Sequence, residues 1–142
     1  MKAIKYLKQF KEIEEEIKDL ELELQLWRDK ACSCTITMSG EKTPGGGSGD
    51  MHKMESAIVE IIDIEGRLAN RISQLRLKEM EISENLSLMP NRKEKSILHK
   101  IYIQGMDLYE VAEVYNRSRR WVESYQGIAL AHFQTIIDEK GL

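Results

Sequence analysis

Apolar residues recur along the start of the chain at alternating spacings of three and four. Ala3, Tyr6, Phe10, Ile13, Ile17, Leu20, Leu24, Trp27, Ala31, Cys34 and Met38 follow that rhythm without a break. A mean spacing of 3.5 keeps one stripe of an α-helix turned toward a partner helix, so the pattern predicts a heptad seam. One helix of this span is about 50 Å long at 1.5 Å per residue. Glu and Lys fill the other positions, as the wet faces of a coiled coil require. The rhythm resumes through Met54, Ile58, Ile61, Glu65, Leu68, Ile72, Leu75, Glu79, Ile82, Leu86 and Met89. Its two glutamates are expected at the edge of the seam, with their carboxylates in water.

Between the two stretches lies SGEKTPGGGSGD, Ser39 to Asp50. Glycine and proline are the poorest helix formers, so this stretch reads as a flexible linker. A phosphate-cradling loop would need a strand before it and a Lys-Ser or Lys-Thr opening a helix after it, and neither is present. Two helices of similar length joined by a loop most simply form an antiparallel hairpin. A two-helix seam is narrow, yet Ile4, Leu7, Leu22, Leu26, Ile62, Ile64 and Leu77 fall off it. They predict a second contact surface, toward the C-terminal part or another copy of the chain. A homo-oligomer, dimer or higher, is therefore expected.

Pro90 marks the next boundary, since proline favours a helix break or a first turn. Two parts follow: a coiled-coil hairpin over 1–89, with its loop at 39–50, and a C-terminal domain over 90–142. Asn91 and Glu94 have the spacing of a capping box, which predicts a helix from Arg92 to Gln104 that buries Ile97, Leu98, Ile101 and Tyr102. Gly105 is placed to end it in a left-handed cap. Asp107 and Glu110 repeat the capping pattern before a short helix, Leu108 to Tyr115, with Leu108, Val111, Ala112 and Tyr115 inward. Ala112 is small where two helices of a helix-turn-helix cross closely. Asn116 tolerates the positive φ that such a turn needs. Ser118 is a good N-cap for a second helix burying Val122, Tyr125, Ala129 and Phe133.

Composition narrows the reading. Charged residues make up 32% of the chain against only two prolines, a bias toward long helices. The net charge of −3 gives no overall pull toward nucleic acid, so any DNA contact must come from a local patch. Arg92 to His132 supplies one, with seven Lys/Arg against five Asp/Glu. The outward face of the second helix carries Arg119, Arg120, Glu123 and Ser124, with Gln126 as a further candidate. An α-helix fits the major groove, where residues near its N-terminus reach base edges and an arginine can donate two hydrogen bonds to guanine. Arg92, Lys93, Lys95, Lys100 and Arg117 are candidate phosphate contacts.

No apolar run is long enough for a membrane span and the N-terminus lacks a signal-peptide core, so a cytoplasmic protein is expected. Cys32 and Cys34 then read as reduced thiols. They form at most half a metal site, with His52 beyond the linker, and no metal or cofactor is expected. No paired-carboxylate or nucleophile constellation is apparent, His99 and His132 read as surface histidines, and an enzyme is not expected.

The segment ILHKIYIQGMDLYEVAEVYNRSRRWVESYQGIALAHF, Ile97 to Phe133, resembles region four of bacterial sigma factors, the helix-turn-helix that reads the promoter −35 element. The likeness runs without gaps from Asp107 to Phe133 and includes Leu108, Glu110-Val111-Ala112, Ser118, Val122 and Ala129. It implies that Ser118, Arg119, Arg120, Trp121, Glu123 and Ser124 face DNA. Arg117 departs from it, standing where the family has a buried aliphatic residue, as do Trp121 and Glu123, where sigma factors often place basic residues. The whole chain is similar to ArpU-like and RinA-like regulators from phages and prophages of Gram-positive bacteria. That likeness implies a sequence-specific DNA-binding transcription regulator, an activator of phage late genes, working in the host cytoplasm with RNA polymerase as a candidate partner. Sigma region two has no counterpart, so the chain is not expected to replace a sigma factor. The rival reading is a coiled-coil adaptor whose C-terminal helices only pack or contact polymerase.

Overall fold

The computed structural model describes residues 1–39 and 47–142, with side chains over 1–33 and 51–142. Among these residues the chain is all-α: α1 (Ala3–Ser39), α2 (Gly47–Ser87), α3 (Arg92–Tyr102), α4 (Leu108–Tyr115) and α5 (Arg119–Lys140). The two long helices form the antiparallel hairpin that the heptads predict. The linker reading of Ser39–Asp50 is too long at both ends. Ser39 closes α1 and Gly47–Asp50 begins α2, because extending a formed helix is far easier than nucleating one. The rest of that stretch, and the side chain of Cys34, lie outside the described residues.

Two compact units divide the chain, one formed by Met1–Glu14 with Gln74–Leu142 and the other by Glu15–Ser73. The division does not fall at Pro90. In the first unit, Ala3, Tyr6, Leu7 and Phe10 of α1 share one core with Ile82, Leu86 and Met89 of α2 and with Ala129, Phe133 and Ile137 of α5. The start of α1 and the end of α2 thus belong with the C-terminal helices, since their large apolar side chains are buried there. Tyr6 and Phe133 pack ring against ring at 6.0 Å.

In the second unit, Ile17, Leu24, Ala57 and Ile64 are buried along the facing sides of α1 and α2. Arg71 pairs with Glu16 at 2.8 Å and Arg28 with Glu65 at 3.2 Å. The later residue on α1 meets the earlier one on α2, as antiparallel helices require. The α1 seam matches the predicted stripe through Ala31. On α2 one half of the stripe is displaced by a residue. Ile61, Leu68, Leu75, Ile82, Leu86 and Met89 face inward as predicted, but their companions are Ala57, Ile64, Arg71, Lys78 and Asn85. Ile58, Glu65, Ile72 and Glu79 are exposed. Of the residues read as a second surface, Leu7 and Ile64 are fully buried, while Ile4, Leu22, Leu26, Ile62 and Leu77 are exposed.

Candidate nucleic-acid interface

The C-terminal helices are set by their caps. Asn91 Oδ1 accepts from the Lys93 and Glu94 amides at 3.0 and 3.2 Å and opens α3. The reciprocal half of that capping box is not made. The Glu94 carboxylate is buried and lies 2.8 Å from His132 Nδ1 instead, so His132 has a partner that its sequence position does not reveal. Helix α3 ends at Tyr102, two residues short of the predicted Gln104, and Gly105 takes a φ of 71° just beyond. Asp107 Oδ1 accepts from the Glu110 amide at 2.8 Å to open α4. Asn116 ends α4 at φ 53°, ψ 44°, the left-handed conformation. Ser118 Oγ then accepts from the Trp121 amide at 3.1 Å and caps α5. Val111, Ala112 and Val122 close the small core between α4 and α5 together with Ile97 of α3.

These elements present Ser118, Arg119, Arg120, Glu123 and Ser124 on the exposed side of the first turns of α5. Arg119 is engaged twice: its guanidinium lies 3.6 Å from Glu123 and 5.2 Å over the Tyr109 ring. Arg120 has no hydrogen-bond or ion-pair partner among the described residues and stands free at the N-terminal end of the helix. That end carries partial positive charge and unpaired amides, which suit an anionic ligand. Further along the same side, Gly127 is exposed and a methyl group there would meet nothing within 4 Å.

Trp121 is placed differently from its five neighbours. Its ring is half-buried in the helix-turn-helix core, 6.0 Å from Tyr115 and 5.0 Å from Tyr125. It lies one turn before Tyr125, and that register turns it inward rather than toward a groove. Arg117 and Lys93 cover its outer face at 5.4 and 5.7 Å. A half-buried indole explains how a charged Arg117 is accommodated: its guanidinium lies on the ring and stays exposed. Lys100 donates to Ser96 Oγ at 2.9 Å and lies 5.7 Å over Tyr115. Arg92 and Lys95 lie on α3 toward the end of α2.

Other chemistry is sparse. Among the described residues no group of three or more His, Cys, Asp or Glu is arranged to hold a metal ion, and no helix is long and apolar enough to cross a membrane. No family model, curated protein or solved structure matches the chain.

Proposed function

We propose that this chain is a sequence-specific DNA-binding transcription regulator. In this reading α5 enters the major groove, Arg120 reads a base, and Ser118, Arg119 and Arg117 contact the backbone on either side. The observation that carries it is the free Arg120 in the first turn of a capped helix, held there by a left-handed turn at Asn116. Resemblance to sigma region four, and to phage late-gene activators of Gram-positive bacteria, supports the regulatory role, RNA polymerase as a candidate partner and the host cytoplasm as the place of action. Trp121 supports the reading as a core residue and platform for Arg117 and Lys93, not as a base contact.

A second reading has its own observation. Val59 and Ile62 of α2 are each 63% exposed, and Ile58 and Ile72 continue the same side of the helix. Four large aliphatics on one face fit a chain that assembles through its hairpin, with itself or with a partner helix.

Selection of bound fragments from phage and host genomic DNA at physiological salt tests the first reading, with the wild type beside Arg119→Ala/Arg120→Ala. Enrichment of one site by the wild type and its loss in the variant is expected. Enrichment by neither protein overturns it in favour of the hairpin as the active part.

A further inference from the structure

The cations of the first unit do not all serve one face. Lys93 and Arg117 cover Trp121. Arg92, Lys95 and Lys100 instead line, with the His99 imidazole, an open cleft of about 360 Å³ between α3 and the last turns of α2, with Ser83 and Ser96 on its walls. They recur at i, i+3, i+7 and i+8 of one helix, which places them on one side. The chain has 24 carboxylates, yet none lines this cleft. None of the described carboxylates pairs with Arg92, Lys95 or Lys100 either.

Lys95 and Lys100 are half-buried. Like charges gathered partly out of water repel one another, and no carboxylate within the cleft neutralises them. The Ser96 hydroxyl already accepts from Lys100 and from the Tyr115 hydroxyl, each at 2.9 Å, so its own hydrogen points elsewhere. A guanidinium fork, two ammonium groups and hydroxyl donors are the set that binds a tetrahedral oxyanion.

We propose that this cleft is a phosphate-binding site and that it seats phosphodiester groups of the DNA backbone beside the stretch read by α5. The proposal rests on the DNA-binding reading. Its location follows from Tyr115, the last residue of α4: Ser96 and Lys100 bear on Tyr115 directly, and the turn that opens α5 begins at the next residue. The cleft therefore adjoins the turn of the helix-turn-helix, and a backbone seated in it lengthens the footprint beyond α5.

Amide spectra of the full chain test this, titrated with a mixed-sequence duplex of about three helical turns and separately with sodium pyrophosphate. The duplex is expected to shift residues 95–100 together with 118–124. Arg92→Ala/Lys95→Ala is expected to bind the same duplex more weakly, with a salt dependence shallower by about two in log–log slope. A duplex that moves 118–124 alone, with an unchanged slope in the variant, overturns the cleft and leaves the DNA reading standing. Pyrophosphate shifting 95–100 while the duplex shifts neither set assigns the cleft to a free phosphorylated anion and overturns the backbone as its ligand. Silence of 95–100 toward both probes overturns the site.

Discussion

The Asn85 side-chain amide donates to the Tyr6 hydroxyl at 2.6 Å, and both residues are almost wholly buried. The network continues in both directions. Tyr6 donates to Glu81 at 2.8 Å, and Lys140 donates to Asn85 Oδ1 at 2.7 Å. A polar residue at a seam position is satisfied in one alignment of the helices and stranded in the others, so it fixes register. Tyr6→Phe keeps the ring against Phe133 but strips Asn85 and Glu81 of a partner. A loss of about 1–3 kcal/mol is expected, because buried polar groups are left unsatisfied. Urea unfolding of the two proteins measures it, and a loss below the error of the extrapolation would show that water replaces the hydroxyl.

The same network sets a pH dependence at each end of the scale. Burial alone would raise the Glu81 carboxyl, but the hydrogen bond from Tyr6 and the Lys78 ammonium outweigh it and hold it below its ordinary value of 4.5. The unfolded chain then binds the proton first, so stability rises with pH in this window. The contribution is present above 4.5 and is lost as pH falls through the folded value. For Tyr6, burial and then the hydrogen bond to Glu81 hold the hydroxyl well above its ordinary value of 10.0. Its contribution is present below 10.0 and is lost as pH rises through the folded value. Unfolding of wild type and Glu81→Gln across the acid range should show the wild type's advantage shrinking toward low pH. Parallel acid profiles would remove Glu81 from the account.

Asn116 is the one non-glycine residue with positive φ among the described residues. Asn116→Ala should cost about 1–2 kcal/mol, the steric cost of a Cβ in the left-handed region. Asn116→Gly should cost little or nothing. If thermal unfolding finds both variants destabilised equally, the turn is held by the Asn side chain and not by its backbone tolerance.

Self-association through α2 predicts that Ile62→Glu lowers the oligomeric state without lowering the helix content. Ile62 is exposed, so a carboxylate there costs the isolated chain little. Sedimentation velocity over a concentration series decides the matter, and an identical mass distribution for both proteins removes this face from any self-contact.

Helices α3 and α4, and the start of α5, were legible in the sequence nearly residue by residue because these boundaries are set locally, by Asn91, Asp107, Asn116 and Ser118. The α1 stripe was legible for a related reason: one apolar series runs along it without a rival. On α2 two series compete. Ile58, Glu65, Ile72, Glu79 and Leu86 hold three aliphatics, whereas Ala57, Ile64, Arg71, Lys78 and Asn85 hold two apolar residues and three polar ones. Counting apolar positions favours the first, yet the second faces inward, and of the first only Leu86 is buried with it. What reverses the choice lies on α1, where Glu16 meets Arg71 and Tyr6 meets Asn85. A partner of that kind cannot be read from the periodicity of one helix. Trp121 shows the same limit at the interface: the resemblance to sigma region four turns it toward DNA, but Tyr115 and Tyr125 hold it in the core. The α2–α3 cleft was legible only as separate cations, since its other wall, with Ser83, comes from α2.

The placing of the two tryptophans gives the molecule a built-in pair of optical reporters. Trp27 lies in the unit formed by Glu15–Ser73 and Trp121 in the other, the first beneath the Lys30 ammonium and the second between two tyrosines. With Trp27→Phe, the remaining emission follows the unit that holds the helix-turn-helix; with Trp121→Phe, it follows Glu15–Ser73. Whether the chain melts in one cooperative step or in two can thus be read by fluorescence, without attaching a dye.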